Sequence, residues 1–170
     1  MKLGLRNIYL IGMNGVGKST IGKILANHLH WAFVDINQTI EAIYNRPLQE
    51  IFDTFGEESF KNMETTILRE LSQGEHQVFA SNCDSVLDTM KFETMKNSGV
   101  TIWLEASPNI LIERLKKMKD FPDKDLESFI KQKLEYRNLF FQQADLRLNT
   151  DRTSPETITK KIIIALKQMP

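Results

Sequence analysis

Residues 12–19 read Gly-Met-Asn-Gly-Val-Gly-Lys-Ser, a match to G-x-x-x-x-G-K-S/T. The run follows an apolar stretch, Asn7–Ile11, and opens an amphipathic one, Lys18–Leu29. No other feature restricts the fold so tightly, because a bend of this kind has meaning only where a strand ends and a helix begins. Gly12, Gly15 and Gly17 open backbone conformations closed to other residues, so amide hydrogens can converge on phosphate oxygens at the positive end of the helix. Lys18 then neutralises terminal phosphates, and Ser19 offers its hydroxyl to Mg²⁺. The plainer reading, a glycine-rich turn with an exposed lysine, is disfavoured because the required strand and helix are both in place. A nucleotide site follows, but the loop alone does not separate a kinase from a motor, a GTPase or a binding module.

Beyond the loop, short apolar runs alternate with longer amphipathic ones. Strands are predicted at Asn7–Ile11, Ala32–Asp35, Gln77–Ser81, Val100–Leu104 and Leu146–Asn149. Helices are predicted at Lys18–Leu29, Asn37–Tyr44, Leu48–Thr54, Glu57–Leu71, Val86–Lys96, Pro108–Lys117, Leu126–Phe141 and Ser154–Gln168. Such alternation needs crossover connections, which favour an α/β fold with a parallel sheet covered by helices on both faces. Ser154 suits the cap of the last helix and Pro155 its first turn. Ile158, Ile162, Ala165, Leu166 and Met169 then share a face, which reads as core.

At 170 residues the chain suits one domain. Its 22 basic and 22 acidic residues cancel, so no general attraction to nucleic acid or anionic lipid is expected, and any anion must be held locally. Cys83 is the single cysteine, which excludes an internal disulfide and a cysteine-based zinc site and points to a reducing, cytoplasmic setting. His28, His30 and His76 lack metal-ligand spacing, and Trp31 and Trp103 read as packing residues. The apolar run from Ile8 to Ile11 is too short for a secretory signal core, and no stretch approaches a membrane span.

Taken along nearly its whole length, the sequence resembles the shikimate kinases, small P-loop kinases related to the nucleoside-monophosphate kinases. RNIYLIGMNGVGKSTIGKILA is similar to the family's opening, and FVDINQTIE to its F-x-D-x-D-x-x-I-E. GEESFKNME resembles G-E-x-x-F-R-x-x-E, EYRNLFFQQAD resembles E-R-x-P-L-Y-x-x-x-A-D, and TDRTSPE resembles the loop beside adenine. The resemblance implies a three-layer α/β/α fold with a five-stranded parallel sheet in a single domain over 1–170. It places a lid near 116–125 and an acceptor-binding segment near 36–64. It further implies Mg²⁺ and transfer of the ATP γ-phosphoryl group to the 3-hydroxyl of shikimate. Nucleotide-binding residues are then Gly12, Asn14, Gly15, Val16, Gly17, Lys18, Ser19 and Thr20, with Arg114 and Arg152 against the nucleotide. Lys18 and Asp35 are the catalytic candidates, and Ser19 and Asp35 the metal-binding ones. Acceptor binding falls to Asn37, Lys61, Cys83 and Arg137.

Several of these positions depart from the family pattern. Asp35 either holds the metal through water or caps the next helix. Asn37 stands in place of a second aspartate; its amide can accept a hydrogen bond from a hydroxyl but cannot take the proton. Lys61 replaces an arginine, keeping the charge without the fork, and is either an acceptor ligand oriented by Glu64 or a solvated side chain. Ser81-Asn82-Cys83-Asp84 replaces T-G-G-G, so side chains fill space that glycines leave open, and the Asp84 charge opposes a nearby anion. Cys83 reads either as an acceptor-side contact or as a small packed residue. Phe121-Pro122 replaces Arg-Pro, removing a lid cation that Lys117, Lys119 or Lys124 would have to supply. Arg137 keeps its arginine. Two functional classes therefore stand: a kinase for shikimate or a related hydroxy acid, and a nucleotide-binding homologue that has lost efficient transfer. A nucleoside-monophosphate kinase fits less well, since Arg137 and GEESFKNME suit a carboxylate acceptor. The sequence leaves the oligomeric state open.

Overall fold

The computed structural model describes residues 7–117 and 126–169. Strands β1 (Asn7–Ile11), β2 (Ala32–Asp35), β3 (Gln77–Ala80), β4 (Val100–Glu105) and β5 (Leu146–Asn149) form one sheet of order β2-β3-β1-β4-β5. Every pairing is parallel, with Leu10 opposite Ala80 on one side and Ile102 on the other. Central β1 is buried at all five positions, which is why its sequence runs apolar without alternating. Edge strand β5 instead alternates half-buried Leu146 and Leu148 with exposed Arg147 and Asn149.

The connections are helices: α1 (Lys18–Leu29), α2 (Ile36–Tyr44), α3 (Leu48–Leu71), α4 (Thr89–Ser98), α5 (Pro108–Lys116), α6 (Leu126–Phe141) and α7 (Pro155–Gln168). The chain leaves β1 for β2 in one direction and returns through β3, β4 and β5 in the other. Right-handed crossovers put the outgoing and returning helices on opposite faces. The packing agrees: α1 lies with α7, while α3 meets α4 and α5 meets α6. Three layers result. Ser154 caps α7 by accepting from the Thr157 amide at 3.2 Å, and Ile158, Ile162 and Leu166 are buried, with Ala165 and Met169 half-buried beside them.

One predicted break is kept and one predicted helix is split. The predicted stretches Leu48–Thr54 and Glu57–Leu71 are the two pieces of α3, separated at Gly56, whose φ of 80° and ψ of 169° are not helical. Such a backbone is open essentially to glycine alone. The predicted helix Val86–Lys96 is a 3₁₀ turn, Ser85–Leu87, followed by α4, because Asp88 caps the Lys91 amide at 3.1 Å and restarts the helix. Trp103 is buried against Phe141, whereas Trp31 is half-buried beside His76.

Candidate active site

All five strands point their carboxyl ends at one rim, and the chemistry-bearing residues follow from that. β1 runs into the loop at 12–17, where Gly12, Gly15 and Gly17 hold φ of 140°, 81° and 102°. Gly12 has a second reason to lack a side chain: a Cβ there would lie 2.3 Å from the Leu104 carbonyl oxygen of β4. Lys18 bends back over the loop, its Nζ donating to the carbonyls of Gly12 at 2.8 Å and Met13 at 3.0 Å. Desolvation in this position lowers its pKa to about 8, against an opposing pull from the Asp35 carboxylate.

Asp35, at the end of β2, divides its oxygens between two tasks. Oδ1 caps α2 by accepting from the Asn37 and Gln38 amides at 3.1 and 3.3 Å. Oδ2 accepts from the Ser19 hydroxyl at 3.0 Å. The two readings of Asp35 are thus compatible, since the cap fixes the carboxylate that faces Ser19. Asn37 follows on α2, with its Oδ1 buried and without a hydrogen-bond partner. These groups line a cavity of about 690 Å³ together with Thr150, Thr153 and Pro155. Among the described residues no cluster of three or more His, Cys, Asp or Glu side chains could hold a metal. That is compatible with Mg²⁺, which takes one or two carboxylates and fills its other positions with water and phosphate.

A second cavity of about 580 Å³ lies beyond the loop 81–84, between α3, α4 and α6. Arg137 is 3% exposed, yet its guanidinium reaches the Asp84 carboxylate and the Met13 sulfur. Glu64 is 5% exposed and accepts from Lys91 Nζ at 2.7 Å and from the Asn82 amide at 3.0 Å. The expected Glu64–Lys61 contact is therefore corrected. Lys61 pairs with Glu57 at 2.6 Å, both largely exposed at the border of this second cavity, and that hydrogen bond raises its pKa. A shared helix face put Lys61 near Glu64, but a buried lysine from α4 outcompetes an exposed one. Cys83 is buried and is not among the residues lining either cavity; burial raises its thiol pKa.

On the nucleotide side, Arg114 ties α5 to the loops. Its guanidinium donates to the Val16 carbonyl at 3.3 Å and to the Thr150 carbonyl at 3.0 Å while lining the larger cavity. Arg152 is exposed in a left-handed turn and does not line that cavity; Thr153 and Pro155 do. Lys117 pairs with Glu113 on the surface at 2.9 Å. The expected lid lies mostly outside the described residues, with Lys119, Phe121, Pro122 and Lys124 among those not described.

With this geometry in hand, comparison with known proteins gives a consistent result. A family profile described as Shikimate kinase matches residues 14–167. The chain belongs to the shikimate kinase family. The shikimate kinase of Thermosynechococcus vestitus is 35% identical over 169 residues, covering 97% of this chain and 92% of that protein. A crystal structure of shikimate kinase from Bacteroides thetaiotaomicron is 30% identical with a TM-score of 0.87, covering 96% of this chain and 99% of that one. Shikimate kinase from Acinetobacter baumannii in complex with shikimate is 26% identical with a TM-score of 0.89, covering 98% and 96%. Members of the family are ATP-dependent phosphotransferases acting on an alcohol group, and so is this chain by membership. Among the described residues no helix is long and apolar enough to cross a membrane.

Within the family framework, Lys91 and the pairing of Asp84 with Arg137 were not anticipated. A signal for Lys91 existed, since it lies at helical spacing from buried Met95 and Ser98, so a lysine stands on the inward face of α4. Nothing local revealed its partner, 27 residues earlier.

Proposed function

We propose that the protein transfers the γ-phosphoryl group of ATP to a hydroxyl of shikimate or a related hydroxy acid, using Mg²⁺, in the reducing setting of the cytoplasm. The observation that carries this reading is the convergence of Lys18, Ser19, Asp35 and Asn37 on one cavity. The loop amides and Lys18 would bind the triphosphate, with Lys18 leaving its two carbonyl partners for the phosphates. Ser19 and Asp35 would hold Mg²⁺, directly or through water; when bound, the ion neutralises charge on the phosphates.

Asn37 Oδ1, buried and unpartnered without ligand, would turn into the cavity to accept a hydrogen bond from the acceptor hydroxyl and orient that hydroxyl's oxygen toward the γ-phosphorus. The new P–O bond forms as the bond to the β-bridging oxygen breaks, and ADP leaves. Asn37 takes no proton, so the hydroxyl proton passes to phosphate or solvent. A loose transition state, in which little proton transfer precedes P–O cleavage, tolerates this. The lid and acceptor segments, near 116–125 and 36–64, belong to the same single domain in this proposal.

A second reading, ATP binding without efficient transfer, is favoured by the pairing of Arg137 with Asp84. ADP release measured with Mg²⁺-ATP, with and without shikimate, separates the two. Shikimate-dependent turnover is expected. Saturable ATP binding without turnover on shikimate or a panel of hydroxy acids would establish the second reading instead.

A further inference from the structure

Among the described residues, every cation bordering the acceptor-side cavity already has a partner. Lys61 is with Glu57, Lys91 with Glu64, and Arg137 with Asp84, while Lys133 lies 4.5 Å over the Phe129 ring. An anionic acceptor that pairs with Lys61, Lys91 or Arg137 must displace that residue's acid, and the three acids differ sharply in how readily they can leave. Glu64 is buried at its carboxylate and holds Lys91 and Asn82 together. Removing it would strand a lysine with a 4% exposed side chain, which is strongly unfavourable. Glu57 and Lys61 are mostly solvated, so their exchange gains little.

Asp84 is different on both counts. Its side chain is 49% exposed, whereas that of Arg137 is 4% exposed. It stands between β3 and the 3₁₀ turn, outside regular secondary structure, and its carboxylate can swing to water without being desolvated anew. Arg137 cannot follow. Its stem is held in α6 and its other nitrogen rests 3.6 Å from the Met13 sulfur. A buried guanidinium with a removable carboxylate partner is a carboxylate receptor with an internal occupant.

We infer that Asp84 acts as an internal competitor for the acceptor carboxylate at Arg137, so that binding an anionic acceptor requires the Asp84 side chain to leave the guanidinium. Asp84 is a specificity-determining residue in this role. It weakens binding of every carboxylate acceptor, and a ligand lacking that charge does not meet the competition. The inference rests on the proposal above that the acceptor is a hydroxy acid.

The test measures binding, so it does not depend on turnover. Shikimate is titrated by calorimetry into the full chain in its wild-type form and as Asp84→Asn, Asp84→Ala and Asp84→Glu. Roughly three- to tenfold tighter binding is expected for Asp84→Asn and Asp84→Ala, the scale of one partly exposed ion pair. Asp84→Glu, which keeps the carboxylate, should stay near wild type. Methyl shikimate, with its charge removed, should bind all four proteins within about twofold. Formate provides a second readout: it should raise the melting temperature of Asp84→Asn more than that of wild type, by filling the position beside Arg137. Equal shikimate affinity in wild type and Asp84→Asn, or no binding by either, overturns the inference. Tighter binding by Asp84→Asn without phosphorylation supports it while defeating the proposed reaction.

Discussion

Lys18 illustrates how one side chain links folding to ligand binding. Its pKa of about 8 lies below the ordinary lysine value of 10.5, because burial penalises the ammonium. The folded chain therefore holds this proton less tightly than the unfolded chain. The resulting destabilisation is fully present below about pH 8 and is relieved as pH rises from about 8 towards 10.5. Binding runs the other way, since a triphosphate beside Nζ favours the charged form. At pH 8.5, where phosphate ionisation is complete, Mg²⁺-ATP binding should take up a fraction of a proton, and affinity should fall as pH rises through about 8. Calorimetry in two buffers of different ionisation enthalpy reads that uptake directly. Lys18→Met should abolish it, and identical heats in both buffers for the wild type would show that Lys18 does not face the phosphates.

Between elements, the decisive contact is the buried pair that joins α3 to α4. Glu64 and Lys91 have side chains 7% and 4% exposed and meet at 2.7 Å, with Asn82 completing the cluster from the loop after β3. Removing one partner should cost about 3–5 kcal/mol, because the other charge remains buried and alone. Lys91→Met and Glu64→Gln should each lower the urea midpoint substantially, while the double variant recovers most of the loss. Additive losses would mean that the two act separately. This contact also marks where reading the sequence reaches its limit. Strand limits were legible because apolar runs end at turn residues, and α7 was legible because Ser154-Pro155 announces it. The interruption at Gly56 was legible too, as a gap between two helical stretches, but the restart at Asp88 was not, since helical propensity on both sides is ordinary and only capping separates the pieces. Pairings such as Glu64 with Lys91 and Asp84 with Arg137 depend on how α3, α4 and α6 are docked, which no local pattern records.

At the scale of the whole molecule, the strand order brings residues far apart in sequence to one rim. The chain leaves central β1 towards β2 and later returns to β4 on the other side, so a crevice opens beyond the carboxyl end of β1, where parallel α/β sheets characteristically bind ligands. The nucleotide half of the proposed site stands out in the sequence because its candidate residues are nearly contiguous, from Gly12 to Thr20, with Asp35 ending the next strand. The cavity proposed for the acceptor is assembled from α3, α4, α6 and the loop 81–84, so substitutions such as Asp84 became interpretable only with their partners in place. The same topology predicts a global effect of a local ligand. A triphosphate touching the loop after β1, α1 and the end of β2 binds only the folded sheet, so at 100 times its dissociation constant Mg²⁺-ATP should stabilise the chain by about 2.7 kcal/mol. Lys18→Ala should remove most of the increase in melting temperature produced by Mg²⁺-ATP, yet leave the ligand-free protein at least as stable, since it deletes a desolvated charge. If Mg²⁺-ATP raised the melting temperature of wild type and Lys18→Ala equally, the nucleotide would have to bind away from the crevice.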